Sequence, residues 1–138
     1  MAATSVTIEI PATPEQVWQL MGGFDSLPDW LPFIPHSSLS EGGRVRTLQT
    51  ADGGTVVERL EAFDNRARRY SYSIEQAPFP ATDYLATLQV REGSTPQTAI
   101  VEWAGIFTPV GVSEEEVVAL FHGIYSGGLA ALKANFPD

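Results

Sequence analysis

The sequence predicts an α+β fold in which a curved antiparallel sheet wraps around one long C-terminal helix. Three observations predict it. Residues 37–109 alternate with period two and are divided by turn signals. From Ser113 onward the spacing becomes helical, with no Asp, Glu, Lys or Arg between Glu116 and Lys133. A helix that apolar needs cover over most of its girth, so the sheet has to curl around it. Finally, an alternating run at Ser5–Ile10 adds a strand ahead of the meander, which makes seven.

In chain order, Val6, Ile8 and Ile10 fall on one face of the first strand, and Thr7 and Glu9 fall on the other. Pro11 ends it. Thr13-Pro14-Glu15-Gln16 reads as a helix start, with Thr13 as N-cap, Pro14 in the first turn and Gln16 closing a capping box. Val17, Trp18, Leu20 and Met21 continue that helix until Gly22-Gly23 stops it. The proline-broken stretch Phe24–Pro32 sustains one or two helical turns from Asp25, and its bulky Trp30 suggests a lid.

Glu41-Gly42-Gly43, Asp52-Gly53-Gly54, Asp64-Asn65, Ala77–Ala81 and Glu92-Gly93-Ser94 then separate six strands joined as hairpins. Ser113-Glu114-Glu115-Glu116 opens the last helix with a second expected capping box, its acids suited to a helix N-terminus. Gly123, Gly127 and Gly128 weaken that helix relative to Ala. They are expected either to open volume beside a pocket or to allow close helix–sheet contact. No repeat, low-complexity tract or linker interrupts the 138 residues, so one domain spanning 1–138 is expected.

Composition narrows the function. Acidic residues outnumber basic ones by 17 to 8, a net charge of −9, which disfavours nucleic acid or anionic lipid surfaces. The chain has no Cys, and its two His are far apart in sequence. No metal site is expected, and His122 reads as a boundary residue. No phosphate-cradling glycine loop or Gly-x-Ser-x-Gly elbow occurs, so nucleotide and hydrolase chemistry find no support, and the expectation is of no cofactor. No apolar run is long enough for membrane insertion, and no signal peptide is visible. A cytoplasmic monomer or weak homodimer is the expectation.

Chemistry concentrates on the strand faces. Sorting by parity puts Val56, Glu58, Leu60 and Ala62 on one face, with Val57, Arg59, Glu61 and Phe63 on the other. Tyr70, Tyr72 and Ile74 oppose Arg69, Ser71, Ser73 and Glu75. Turning the apolar sets toward the helix carries Glu58 inward. A turn centred near Asp52 sets Arg46 opposite Glu58 and Leu48 opposite Val56. A tight Asp64-Asn65 turn sets Tyr72 opposite Glu58. Cross-strand Cβ atoms lie about 4.5–5.5 Å apart, which brings Arg46, Glu58 and Tyr72 within hydrogen-bonding reach. The rival arrangement is a bulge that flips the register and leaves both charges in solvent. Also inward are Tyr84, Ala86, Leu88 and Val90 on one strand, and Val101, Trp103, Gly105 and Phe107 on the next.

Several segments together resemble the SRPBCC superfamily of START-like, birch-pollen-allergen-like proteins, closest to its polyketide cyclase/dehydrase and lipid-transport branch. They are Ile10–Trp18, Phe24-Asp25 with Trp30, Val45–Leu48, Val57–Leu60, Tyr70–Ile74, Val101-Glu102-Trp103 and Gly128-Leu129 in the closing helix. The resemblance covers nearly the whole chain. It implies a helix-grip fold with a hydrophobic cavity between sheet and long helix, but no single activity, since members bind lipids, hormones and polyketides and some catalyse cyclisation or dehydration.

Three functions follow as expectations. The first is binding or transport of a hydrophobic small molecule of lipid or polyketide type. Trp30, Tyr84, Trp103, Phe107, Phe121 and Tyr125 would form the walls, and Arg46, Glu58 and Tyr72 a polar anchor. The second is a cyclase or dehydratase in which Glu58 moves a proton while Arg46 or Tyr72 stabilises negative charge on a substrate oxygen. The third is a protein–protein adaptor using an exposed apolar Leu27–Pro35 segment, for which a solid core without a cavity would be the sign.

Overall fold

A computed structural model describes residues 1–137. Seven strands form one antiparallel sheet: β1 (Ala2–Ile10), β2 (His36–Ser40), β3 (Val45–Gln49), β4 (Thr55–Asp64), β5 (Arg69–Gln76), β6 (Ala81–Glu92) and β7 (Ala99–Pro109). The spatial order β1-β7-β6-β5-β4-β3-β2 is a meander from β2 to β7 closed by β1 at the far edge. The helices are α1 (Pro14–Met21), the single turn α2 (Leu27–Trp30) and the long α3 (Glu114–Lys133), which lies against β1 and β7. The curved sheet and the long terminal helix are those the alternation and the apolar run predict.

Local chemistry explains the element ends. Thr13 caps α1 reciprocally with Gln16, each satisfying the other's free backbone N–H. At α3 only the forward half forms: the Ser113 hydroxyl accepts from the Glu116 amide at 3.1 Å. The predicted second capping box is therefore half present. The turn α2 begins at Leu27 rather than Asp25, with proline in its first turn.

The core lies between sheet and helix. Val117, Phe121, Tyr125, Leu129 and Leu132 of α3 are buried against Ala86, Leu88, Val101 and Phe107 of the sheet. Fully burying side chains of this size stabilises the fold by about 1.5–3 kcal/mol each. The opposite face of α3, with Ala119, Leu120, His122, Gly123, Gly127 and Ala130, stays exposed although it carries no charge. Cover over most of its girth was expected and is not found, because small residues make that face apolar without large area to hide. Gly123 and Gly127 have open space around them and neither enlarge the pocket nor touch the sheet. Gly128 alone does the expected work, with a Cβ there reaching 2.6 Å from Trp103.

The β4–β5 hairpin departs from the tight turn predicted. Asp64 accepts hydrogen bonds from the amides of Arg66 and Ala67, and the chain turns through Asn65–Arg68, with Arg68 at φ 53°. Phe63 therefore pairs with Tyr70 and joins the inner face, where it meets Trp18 at 5.7 Å, while Ala62 turns outward. Both reverse the predicted parity. Continued unbroken, that register would also carry Glu58 outward. A bulge at Glu61 instead resets it, so Leu60 pairs with Tyr72 and Glu58 with Ile74. Tyr72 is thus a diagonal neighbour of Glu58, two residue pairs further along than predicted.

Two details lock the sheet's far edge. Glu9 Oε2 accepts from the Ser94 amide, the Ser94 hydroxyl and the Thr98 hydroxyl at 2.8, 2.6 and 2.7 Å, clipping the β6–β7 turn onto β1. Gly105 in β7 lies under Tyr125, so that a Cβ there would be driven into the phenol.

Two outcomes are expected. The donors hold the Glu9 carboxyl down at about 2, against an ordinary 4.5. The lowered value means the clip contributes fully above 4.5 and is lost as pH falls from there toward 2. Carboxyl-carbon NMR titration should show it; a Glu9 midpoint near 4.5 counts against the clip. Gly105→Ala should cost about 1–3 kcal/mol through overpacking, read from the urea midpoint, whereas an unchanged midpoint means Tyr125 can step aside.

Candidate functional site

A cavity of about 400 Å³ opens between the sheet and α3. Its floor and walls come from Arg46 and Leu48 on β3, Val56 and Glu58 on β4, Tyr72 and Ile74 on β5, Tyr84 on β6 and Trp103 on β7. Phe121, Ile124 and Tyr125 of α3 close the opposite side. The rim is formed by Leu27, Leu31, Phe33 and Ile34, by Thr50–Asp52 in the β3–β4 hairpin, and by Pro78 and Phe79 before β6. A single backbone bond, Ala51 N–H to Phe33 C=O at 3.0 Å, ties two of these rim segments together.

Arg46 and Glu58 face each other across β3 and β4, as predicted, at 1% and 6% exposure. Arg46 Nε and Nη2 both reach Glu58 Oε1, at 2.8 and 2.7 Å. Its Nη1 donates to the Phe24 carbonyl at 2.9 Å and to the Tyr70 hydroxyl at 3.3 Å. The guanidinium carbon sits 4.2 Å from the Phe24 ring centre and 4.8 Å from that of Tyr72. An isolated buried charge is prohibitively costly; this one is paired, hydrogen-bonded and covered by aromatic faces. Burial works against the Arg46 charge and is outweighed by Tyr70, Glu58 and Tyr72, so the guanidinium stays cationic. Burial raises the Glu58 carboxyl, with Arg46 pulling it back part of the way. Glu58 Oε2 accepts no hydrogen bond among the described residues.

Tyr72 does not hydrogen-bond to this pair. Its hydroxyl accepts from Trp103 Nε1 at 3.1 Å and contacts Tyr84 Oη at 3.3 Å, and Tyr84 in turn meets Tyr125 Oη at 2.5 Å. Burial raises all three phenols well above their ordinary value, so they remain protonated. Trp103 stacks on Tyr125 with ring centres 4.7 Å apart. The polar groups thus form two sets, an ion pair on the sheet and a hydroxyl chain that runs from the sheet to α3.

Of the residues predicted to line a pocket, Arg46, Glu58, Tyr72, Tyr84, Trp103, Phe121 and Tyr125 are brought around the cavity. Trp30 and Phe107 sit one layer back: Trp30 packs edge-on against Trp103 at 6.2 Å, and Phe107 lies 4.7 Å from Phe121. Trp30 is only 3% exposed, so the predicted lid is a buried wedge. Leu27, Leu31 and Ile34 are buried too, leaving Phe33 as the exposed large side chain of a segment predicted to be an open apolar surface. The expected boundary position of His122 holds; it is exposed and meets Thr4 Oγ1 at 3.2 Å.

Sequence reasoning missed Phe24, Tyr70 and Phe79. The parity of β5 puts Tyr70 inward, but only the fold shows its hydroxyl accepting from Arg46. Phe24 and Phe79 sit in loops, where no periodicity assigns a side chain to a face. No group of three or more potential metal-binding side chains occurs among the described residues, and no helix there is long and apolar enough to cross a membrane.

Solved structures resemble this one along nearly its whole length. A Bacillus cereus protein named XoxI is 61% identical with a TM-score of 0.97, over 99% of this chain and 96% of its own. An uncharacterized protein from Bacillus thuringiensis is 59% identical with a TM-score of 0.98, over 99% of this chain and all of its own (100%). A START superfamily protein from Mycobacterium smegmatis shares the fold at 15% identity and a TM-score of 0.79, over 98% of this chain and 97% of its own. Residues 1–137 match the family described as "Polyketide cyclase / dehydrase and lipid transport". With that match spanning the sheet, the cavity and α3, and with a helix-grip fold shared with the START superfamily protein, the chain belongs to the polyketide cyclase/dehydrase and lipid-transport family.

Proposed function

We propose that the protein binds or carries an apolar or aromatic small molecule, lipid- or polyketide-like, in the cavity between sheet and helix. The observation that carries this reading is the cavity itself: about 400 Å³, walled by aliphatic and aromatic groups, with few polar atoms among them. Ligand pockets commonly have this size and composition. A protein that needed only a filled core would close such a space, since lost packing is costly. Tyr84, Trp103, Phe121 and Tyr125 serve as walls in this reading, backed by Trp30 and Phe107. Arg46, Glu58 and Tyr72 make the polar anchor.

A second reading, a cyclase or dehydratase, is favoured by one observation. Glu58 lines the cavity and burial raises its carboxyl, which suits an acid that gives and retakes a proton. Turnover of a polyketide-like substrate by the native protein, abolished in Glu58→Gln with binding retained, supports it. Binding without turnover in the native protein leaves the carrier.

Native mass spectrometry of the protein purified from its own host should reveal a co-purifying small molecule. In Ile74→Trp, which fills the cavity, that mass should disappear while the circular dichroism spectrum is kept. A bound mass that survives the filled cavity places the molecule elsewhere and removes the support for this reading.

The ion pair yields a separate expectation. Arg46→Met alone should cost about 3–5 kcal/mol, because it strands Glu58 in the interior. Arg46→Met combined with Glu58→Leu should recover most of that loss in urea unfolding. A double variant as unstable as the single one assigns the loss to the packing of Arg46 against its aromatic neighbours instead.

A further inference from the structure

The polar lining of the cavity has a definite hydrogen-bonding sense, which follows from counting protons. Trp103 Nε1 is a donor only, so Tyr72 Oη must accept from it. Three protonated phenols and this indole bring four donors, whereas the chain Trp103–Tyr72–Tyr84–Tyr125 has three contacts to use them. One hydroxyl proton is left over whichever way the chain runs, and all four residues line the cavity. Beside it, Glu58 Oε2 is an acceptor without a protein donor.

The cation gives no balancing attraction. Arg46 directs two nitrogens at Glu58 Oε1 and the third at Phe24 and Tyr70, beneath the Phe24 and Tyr72 rings. Its charge is balanced by the adjoining Glu58 carboxylate, and four of its five N–H donors are taken by Glu58, Phe24 and Tyr70. The side chain at the rim that carries a charge is Asp52, also negative. A ligand carboxylate entering this space would meet a carboxylate oxygen and no free cation, and would lose its own hydration.

We infer that the cavity selects uncharged apolar molecules bearing a hydroxyl or N–H donor, with phenols as the fitting class, and rejects free carboxylic acids such as fatty acids. The inference rests on the carrier reading and sharpens it. The ligand's donor meets Glu58 Oε2, and its oxygen accepts the surplus phenolic proton. Apolar rings or chains fill the remaining volume. A hydrogen bond to a charged acceptor is stronger than a neutral one and makes the donor decisive over shape alone.

Three probes of one shape test it: 1-naphthol, naphthalene and 1-naphthoate, titrated calorimetrically into the native protein at pH 7.5. Naphthol should bind roughly tenfold or more tightly than either of the others. Glu58→Gln should narrow the gap between naphthol and naphthoate by weakening the first and admitting the second. Naphthoate binding as tightly as naphthol in the native protein overturns the inference, as does naphthalene matching naphthol, yet both leave the carrier reading standing. Binding of none of the three overturns the carrier reading and this inference with it. The comparison in native protein decides the matter even where Glu58→Gln does not fold.

Discussion

Everything at the centre of this fold answers to one requirement: the charge of Arg46 must be satisfied away from water. Its guanidinium draws on three separate segments: Glu58 of β4, Tyr70 and Tyr72 of β5, and Phe24 in the connection between α1 and α2. A buried pair of this kind adds little stability over apolar side chains of equal volume, but it punishes any arrangement that separates its members. It therefore acts on register and on the placement of the α1–α2 connection more than on total stability. The bulge at Glu61 belongs to the same account, because without it the hairpin's parity would carry Glu58 to the wrong face.

Around that charge pair the sheet and α3 hold a continuous aromatic layer. Phe24 and Tyr70 lie under the ion pair, Tyr72 and Tyr84 carry the layer across, and Phe107, Phe121, Trp103 and Tyr125 meet at the helix. Rings contribute large contact area with few torsions to freeze, and pairs at these separations add to simple burial. A stiff layer of this kind can border an unfilled space without collapsing into it, which a wall of flexible aliphatics does less well. Gly105 and Gly128 are the concessions that let two of the largest rings, Tyr125 and Trp103, fit between sheet and helix.

Much of this was legible beforehand because period-two alternation is a strong signal where one face is buried. The seven strands, the Thr13 cap, the apolar α3 and the Arg46–Glu58 opposition follow from spacing and turn position alone. The illegible parts have a common physical origin. Asp64 can close a turn of more than one length with the same side-chain hydrogen bonds, so the hairpin's offset and the compensating bulge are settled by inner-face packing. Trp30 reads as a lid because prolines break the segment around it, yet its indole buries against Trp103 from a distant strand. Glycine is ambiguous in a helix: Gly128 and its outward neighbours Gly123 and Gly127 share one composition and have opposite surroundings.

The rim of the cavity has an energetic consequence of its own. Phe33 and Ala51 join two rim segments through one backbone hydrogen bond, of a kind worth about 0.5–1.5 kcal/mol net. Breaking that bond alone is a local event of low free energy. Parting the rim would also expose Leu31 and Ile34, so their burial, more than the bond, holds the cavity's edge together.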